Sequence, residues 1–296
     1  VDINAERIGL TKKVTVGIQG DAKVVAEQIL EQLSDNAGDH GRSERKVDIS
    51  ESKSRWAQLL TSMEHEDDDP GTNWNESART REPERMSPRA AWRAITSGLP
   101  QNAIISTDIG NNCALGNAYP YFEEGRKYLA PGMFGPCGYG LPAILGAKIA
   151  KPDVPVVGFA GDGAFGISMN EMTACGRGEW PAITQVIFRN YQWGAEKRNT
   201  TLWYDNNFVG TELNLGVEYA KIAEACGLRG LQVRTMTELT EAIRESVRLQ
   251  MEENITTFIE CVLNQELGEP FRRDAMKKPV KIAGINPKDM KPQISG

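Results

Sequence analysis

The distribution of apolar and polar positions predicts alternating strands and helices over residues 87–268. Five short apolar runs have the length and composition of buried parallel strands. These runs are residues 103–107, 154–160, 183–188, 231–234 and 256–263. Between them, apolar residues recur at helical spacing, and Ser87-Pro88 has the cap-then-proline order of a helix start. Strands that alternate with helices predict an α/β fold with a doubly wound parallel sheet.

The first 36 residues contain one predicted strand and one predicted helix. Apolar residues alternate with polar ones from Val14 to Ile18, and Asp21 is placed to cap a helix whose apolar face includes Val25. One strand and one helix cannot enclose a core. We therefore expect residues 1–36 to be the end of a preceding domain, so that the chain is the carboxy-terminal portion of a longer protein or is completed by another chain.

Two further segments are polar. Residues 37–86 have little apolar periodicity and predict a linker with one short helix. Residues 269–296 include prolines 270, 279, 287 and 292 and predict an extended carboxy-terminal tail that packs on the surface or on a partner. The α/β domain predicted over residues 87–268 lies between them.

Candidate chemistry begins where two predicted strands end. Gly161-Asp162-Gly163 follows the run 154–160, and Asn190, 28 positions after the aspartate, follows the run 183–188. The carboxyl ends of parallel strands share one sheet edge, where open α/β sheets bind ligands. A carboxylate and an amide oxygen delivered there suit a hard cation such as Mg²⁺, and glycines let the backbone approach a phosphate. For Gly-Asp-Gly alone, a plain turn is the alternative.

Composition and charge narrow the class of partner. A formal net charge of -6 and a pI near 5.3 argue against nucleic acid or an anionic membrane and favour a small molecule. The sequence has no stretch of 18 consecutive apolar residues, so no membrane span is expected. Five cysteines, an odd number, indicate reduced thiols and a cytoplasmic location. The two histidines, His40 and His65, lie in a polar stretch, which argues against Ser-His or Cys-His nucleophilic sites in the core.

Gly161-Asp162-Gly163 and the segment around Asn190, together called the clamp motifs, resemble the signature of the thiamine-diphosphate-dependent enzymes, the family that includes acetohydroxyacid synthase and pyruvate decarboxylase. The resemblance implies that the carboxylate of Asp162, the side-chain oxygen of Asn190 and the backbone carbonyl of Gln192 bind Mg²⁺. It also implies that Gly161, Gly163 and Ala164 face the diphosphate of the cofactor. The dipole of a helix that begins near Ser168 would assist the binding of that diphosphate.

Two further motifs resemble cofactor-binding segments of that family. Gly110, Asn111 and Asn112 follow the first predicted strand and would donate to the diphosphate, with an Asn-rich turn as the alternative. Gly135 would give its carbonyl to the aminopyrimidine, and Cys137 would hold the cofactor bent, where the family usually has a larger aliphatic residue. A catalytic thiol at Cys137 is the alternative, but no histidine is near in sequence to activate it.

Three cationic residues lie near Asn190 in the sequence. Arg189 stands where the family usually has a first asparagine, and Lys197 and Arg198 follow the metal ligands. Because a guanidinium fork suits a tetrahedral oxyanion and lysine adds a point charge, we take all three as hypothetical contacts to a sulfonate or phosphate. A solvated basic loop is the alternative.

Within the family, four longer stretches resemble the sulfoacetaldehyde acetyltransferases. They are residues 108–119, 134–140, 189–198 and 268–278. The resemblance implies an acyltransferase that converts sulfoacetaldehyde and phosphate to acetyl phosphate and sulfite. Two alternatives stay open. One is an acetolactate synthase-like enzyme or oxo-acid decarboxylase acting on pyruvate, and the other is a non-catalytic subunit that binds the cofactor.

The resemblance also implies partners for the chain. Sites of this family lie between domains of two subunits, so we expect a homodimer or homotetramer of the complete protein. The glutamate that activates the cofactor belongs to a pyrimidine-binding domain that precedes this segment. Glu171, Glu179 and Glu196 are not in the sequence context to replace it. We therefore expect the chain to carry the magnesium-diphosphate half of the site and to catalyse little alone.

Overall fold

The computed structural model describes residues 1–10, 13–34, 41–65, 85–122, 125–132, 134–205 and 207–265. The chain divides into two compact units, one built on residues 1–60 and one on residues 61–278. The second unit contains every predicted site residue. The boundaries expected near residues 36, 86 and 268 stay predictions, and the expected tail over 269–296 lies outside the described residues.

One parallel sheet forms the centre of the second unit. Its strands are β1 (Ile104–Thr107), β2 (Tyr128–Leu129), β3 (Val156–Gly161), β4 (Thr184–Arg189), β5 (Arg229–Val233) and β6 (Thr257–Val262). Their order is β2-β1-β3-β4-β6-β5, and every neighbouring pair is parallel. The predicted α/β fold with a parallel sheet is confirmed. The sequence pattern does not predict β2, because a two-residue edge strand carries no apolar run.

Helices connect the strands on both sides of the sheet. The α-helices are α1 (Ala22–Ser34), α2 (Arg42–His65), α3 (Pro88–Gly98), α4 (Asn111–Ala114), α5 (Gly140–Ala150), α6 (Asp162–Ser168), α7 (Met172–Cys175), α8 (Gly194–Trp203), α9 (Tyr219–Ala225) and α10 (Met236–Glu252). The start of α3 is as predicted, since the Ser87 hydroxyl accepts from the Ala90 N–H at 3.1 Å and Pro88 is its first residue. None of the helices in the described part of the chain has the length and apolar character needed to cross a lipid bilayer.

Two apolar layers cover the faces of the sheet. On the face of α3 and α10, the fully buried Trp92 ring lies 4.8 Å from the Phe159 ring and 5.5 Å from the Phe188 ring, measured between centroids. On the face of α5, α6 and α9, the Phe165 ring lies 5.4 Å from Tyr219 and 6.0 Å from Phe258. Because both faces are covered, the central strands are buried along their length, as the continuous apolar runs predicted.

In the first unit, the helix prediction is confirmed and the strand prediction is wrong. The carboxylate of Asp21 accepts from the N–H groups of Lys23 and Val24, at 2.9 and 3.2 Å, at the start of α1. Residues 13–18, all of them described, form no strand. Their neighbour Gln19 makes a single parallel bridge to Asp2. Alternation predicts a strand only where a partner strand completes the ladder.

Three other helices differ from the sequence prediction. α2 spans 24 residues, although the segment predicted only a short helix. It is polar around its circumference, and pairs at helical spacing such as Arg55 and Glu51, 3.5 Å apart, support such a helix. α6 begins at Asp162 instead of near Ser168, because no loop separates it from β3. α8 occupies the segment that could have been a basic loop.

Replacing Gly230 with alanine tests the close packing of β5 against α9. A Cβ at this position would lie 2.0 Å from the carbonyl oxygen of Ala220, so the helix backbone would have to move. We expect G230A to lower the free energy of unfolding by roughly 2–3 kcal/mol in urea denaturation. The control is Gly146→Ala in α5, where nothing lies within 4 Å of the added carbon. Equal stability of the two variants would contradict the close packing.

Candidate functional site

A cleft opens at the carboxyl ends of β1, β3 and β4. The chain proceeds from β1 to β2 on one side and from β3 to β4 on the other. The crevice between β1 and β3 is therefore a topological switch point, where open α/β sheets bind ligands. The cleft volume is about 140 Å³. Complete small-molecule sites measure roughly 300–1,000 Å³, so a cleft of this volume is the size of part of a binding site.

The eleven residues predicted to bind the cofactor or the metal all line this cleft. They are Gly110, Asn111, Asn112, Gly135, Cys137, Gly161, Asp162, Gly163, Ala164, Asn190 and Gln192. Six further lining residues carry no predicted role, namely Ile109, Cys113, Trp193, Gly194, Ala195 and Glu196. All six lie in or beside the motifs that the sequence singled out. The three cations predicted as substrate contacts are not among the described residues that line the cleft.

Asp162 is the central charged group of the cleft. Its carboxylate is buried, and Oδ2 accepts from the Tyr191 N–H at 2.6 Å and from Arg189 Nη1 at 3.0 Å. Oδ1 accepts from the N–H of Gly163 at 3.0 Å. Burial raises the pKa of Asp162 to about 6, although Arg189 and the backbone donors act in the opposite direction. With Oδ2 held by two donors, Oδ1 is the carboxylate oxygen available to a ligand.

Arg189 is a buried structural cation, which corrects its predicted role as a substrate contact. Its side chain has no exposed surface. Besides the pair with Asp162, Nη2 donates to the carbonyl oxygens of Asn214 at 2.5 Å and Val217 at 3.2 Å. Nε lies 3.7 Å from a carboxylate oxygen of Glu260, which is also buried. The guanidinium therefore neutralises two buried carboxylates and does not face a ligand in the cleft.

Tyr191 turns the chain between the two other predicted metal ligands. Its φ of +61° lies in the left-handed region, which is rare for a bulky residue and costs about 1–3 kcal/mol. Asp162 accepts from the Tyr191 N–H, and two guanidinium groups lie over the Tyr191 ring. The carbon atoms of these groups, in Arg85 and Arg189, are 4.5 and 4.1 Å from the ring centroid. These contacts fix the turn that brings the Asn190 side chain and the Gln192 carbonyl to one point.

The side-chain amide of Asn190 lies among three polar groups. One end is 3.2 Å from Oδ1 of Asp162 and 3.3 Å from the carbonyl oxygen of Gln192, and the other end is 3.2 Å from Nδ2 of Asn112. An NH₂ group facing Asp162 and Gln192 would donate to both oxygens, whereas an amide oxygen there requires a cation between them. The geometry can therefore present three oxygens to one cation.

Asp108 fixes the loop before α5, and the sequence analysis did not select it. It is buried, and its carboxylate accepts from the N–H groups of Ile109 at 2.8 Å, Gly138 at 3.1 Å and Gly140 at 2.6 Å. Burial raises the pKa of Asp108, although these donors oppose the shift. Asp108 thereby sets the position of the loop predicted to hold the aminopyrimidine. The sequence feature that could have identified Asp108 is its position as an acidic residue directly after a predicted strand.

Trp193 and Cys137 form other parts of the wall. A Cβ at Gly163 would lie 2.8 Å from the Trp193 ring, so glycine is what lets the ring cover the first turn of α6. Cys137 is half-buried, and burial raises the pKa of its thiol, which disfavours the nucleophilic thiolate.

His40 and the side chain of His65 lie outside the described residues.

Lys197 and Arg198 lie on α8 beside the cleft. Nζ of Lys197 is 2.5 Å from a carboxylate oxygen of Glu212 and 5.3 Å from the centroid of the Phe208 ring. Arg198 is half-buried. Contact of either residue with a substrate stays a prediction. Glu196, one position earlier, lines the cleft and is exposed.

A protein-family model described as "Thiamine pyrophosphate enzyme, C-terminal TPP binding domain" matches residues 108–261. The matched range includes every residue that lines the cleft. Among solved structures, the chain is similar to a thiamine diphosphate-dependent 4-hydroxybenzoylformate decarboxylase of Rhodococcus jostii RHA1. The TM-score is 0.56 at 23% identity, covering 62% of this chain and 34% of the other. That likeness supports the fold alone.

Curated relatives align with nearly the whole chain. This chain is 72% identical to a probable sulfoacetaldehyde acetyltransferase of Rhizobium meliloti and 69% identical to a sulfoacetaldehyde acetyltransferase of Roseovarius nubinhibens. Each alignment covers 99% of this chain and 49% or 48% of the relative, so the chain spans about half the length of these relatives. It is 26% identical to the acetolactate synthase isozyme 3 large subunit of Escherichia coli, over 89% of this chain and 43% of the relative.

Replacing Arg189 with methionine tests its role as a buried counter-charge. The change leaves the carboxylates of Asp162 and Glu260 buried without their cation. We expect R189M to lower the free energy of unfolding by about 3–5 kcal/mol. Urea denaturation measures the loss. The control is Arg248→Met, which breaks three ion pairs on a side chain that is 42% exposed and should therefore cost much less, because solvent screens surface pairs. Similar losses in both variants would remove the special role of Arg189.

Proposed function

Since the chain belongs to the thiamine pyrophosphate enzymes, we propose that it binds thiamine diphosphate through Mg²⁺ and acts in a sulfoacetaldehyde acetyltransferase. The reaction converts sulfoacetaldehyde and phosphate to acetyl phosphate and sulfite. Identities of 72% and 69% over 99% of this chain, to relatives carrying that name, support this choice. The acetolactate synthase relative is 26% identical, which gives the pyruvate alternative weaker support.

The residues at the end of β3 and β4 fit a magnesium ion. The end of the Asn190 amide that faces away from Asn112 lies 3.2 Å from Oδ1 of Asp162 and 3.3 Å from the Gln192 carbonyl oxygen. Magnesium binds oxygen at roughly 2.0–2.1 Å in octahedral geometry, which places adjacent ligands about 3 Å apart. With its oxygen turned inward, Asn190 would offer a third oxygen to such an ion. The convergence of these three groups is the observation that carries the cofactor proposal.

The rest of the cleft fits a diphosphate. A Cβ at Gly110 or Gly161 would meet nothing within 4 Å, so the backbone there faces open space. Nδ2 of Asn111 is buried and makes no hydrogen bond within the described structure, so it is a donor for an anionic oxygen. We propose that the N–H group of Ala164 donates to the same group, beside Gly163, whose own N–H donates to Oδ1 of Asp162. Together they would hold the negative charge that the cation neutralises.

The chain's own residues would orient the bound cofactor. Thiamine diphosphate, when bound, supplies both the nucleophile and the electron sink of the reaction. Asp108 holds the loop that carries Gly135 and Cys137. The Gly135 carbonyl, proposed to contact the aminopyrimidine, and the Cys137 side chain, proposed to hold the cofactor bent, therefore keep fixed positions. Trp193 covers the first turn of α6 beside the proposed metal site. Fixed positions lower the entropic cost of reaching the reactive geometry.

The activating glutamate is expected outside the residues of this chain. Glu196 is exposed at the cleft, and Glu171 and Glu179 are not among the described lining residues. We propose that the pyrimidine-binding domain of the complete protein supplies this glutamate, with the site formed between subunits of a homodimer or homotetramer. The open wall of the cleft is consistent with such an arrangement.

Sulfite release tests the proposed activity. The full-length protein is incubated with sulfoacetaldehyde, Mg²⁺, thiamine diphosphate and phosphate. We expect sulfite and acetyl phosphate in equal amounts, with formation of both dependent on phosphate. Carbon dioxide from pyruvate, with no sulfite from sulfoacetaldehyde, would support the pyruvate alternative. Cofactor binding without turnover of either compound would support the non-catalytic subunit.

Replacing Arg198 with alanine tests the predicted anion contact. If its guanidinium binds phosphate or the sulfonate, the KM for that compound should rise about tenfold, the cost of roughly one charge-assisted hydrogen bond. Steady-state kinetics with each substrate varied separately give this value. Lys197→Ala is the neighbouring comparison, and Arg177→Ala, an exposed residue paired with Glu179, is the control. Unchanged kinetics in R198A would remove Arg198 from the site.

A further inference from the structure

We propose that Asn112 is a positioning residue that accepts from the Asn190 NH₂ group when the Asn190 oxygen faces the cation, and so permits that orientation. This inference rests on the proposed magnesium site and adds a residue that does not itself bind the metal. The sequence assigned Asn112 to the diphosphate. That assignment stays a prediction, and the structure places the Nδ2 of Asn112 3.2 Å from the Asn190 amide, at the end opposite Asp162 and Gln192.

An amide has two ends of opposite hydrogen-bonding character, and only one of them can bind a cation. The NH₂ group of Asn190 can donate to Asp162 and Gln192, which closes the site without a metal. When its oxygen faces those groups, its NH₂ group must face Asn112. Asn112 can meet either state, because its own amide also carries one donor group and one acceptor. Rotation of the two amides together keeps the hydrogen bond between them and exchanges donor and acceptor.

The surroundings of Asn112 permit that rotation while fixing its backbone. Nε1 of the fully buried Trp92 donates to the Asn112 carbonyl oxygen at 2.6 Å. Asn112 as a whole residue is 5% exposed, and its Oδ1 accepts no hydrogen bond within the described structure. Turning the Asn112 amide therefore breaks no hydrogen bond other than the one to Asn190, which forms again with its roles exchanged. The residue is held in place, and its donor and acceptor remain interchangeable.

The consequence is a defined dependence of cation affinity on residue 112. Partners of metal ligands typically change metal affinity by roughly 10–100-fold when they are removed. Leucine has nearly the shape of asparagine but can neither accept from nor donate to Asn190. With leucine at position 112, the cation-bound orientation buries the Asn190 NH₂ group without an acceptor, whereas the cation-free orientation keeps that group bonded to Asp162 and Gln192 and loses only the bond to its oxygen. Asn112→Leu therefore disfavours the orientation that binds the cation. Asn112→Asp can only accept, so it favours the orientation that presents the Asn190 oxygen to the metal.

A double-mutant cycle separates orientation from packing. Asn190→Asp presents an oxygen in either orientation, so residue 112 no longer has an orientation to select. The binding of Mn²⁺, with saturating thiamine diphosphate, is measured by the electron paramagnetic resonance of free Mn²⁺ in the full-length protein. The variants are N112L, N190D, the double variant and N112D. Asn117→Leu is the control, an exposed asparagine in the 3₁₀ turn directly after α4.

We expect N112L to weaken Mn²⁺ binding at least about tenfold in the native background and less than about threefold in the N190D background. N112D should bind at least as tightly as the native protein, and N117L should match it. An equal loss from N112L in both backgrounds, or none in either, would overturn the positioning role. A tenfold weakening in N112D would do the same, even if N112L fails to fold. If the native protein binds no Mn²⁺, the proposed metal site itself falls, and this inference falls with it.

Discussion

The buried carboxylate of Asp162 is the constraint on which the rest of the site depends. A charged group without surface exposure must be paired and hydrogen-bonded, or it loses its charge. Arg189 supplies the opposite charge, and the Tyr191 and Gly163 N–H groups supply further donors. Glu260 in turn lies beside Arg189, so two strands carry a linked set of buried charges. These contacts hold one carboxylate oxygen and leave the other toward Asn190.

The parallel sheet makes this arrangement possible. β3 and β4 are neighbours in register, with Gly161 opposite Phe188, so the residues that follow them emerge side by side. β1 lies on the other side of β3 and delivers Asp108 and Asn112 to the same edge. Backbone hydrogen bonds fix the strand ends, whereas the loops beyond them carry the chemistry. A scaffold that is rigid and apolar thus supports a cleft that is polar.

Trp92 connects the core to the site. Its ring packs against Phe159 on β3 and Phe188 on β4, two strands that end at the cleft. Its N–H binds the carbonyl of Asn112, so the same side chain contributes to the apolar layer and anchors the loop after β1. A Cβ at Gly116 would lie 2.8 Å from this ring, which shows how closely the following turn packs on it. Core packing and cleft geometry are therefore parts of one contact network.

The sequence by itself determined the parallel α/β sheet, five of its six strands and eleven of the seventeen described residues that line the cleft. Continuous apolar runs require burial on both faces, and the carboxyl ends of such strands share one edge, so the clamp motifs had to meet. Only the tertiary structure decided that Arg189 is a buried counter-charge, that Asp108 holds a loop 32 positions away and that Asn112 faces Asn190. Periodicity reports which face of an element is buried. The direction of a polar side chain depends on the charges and amides that distant segments place around it, and no local pattern contains that information.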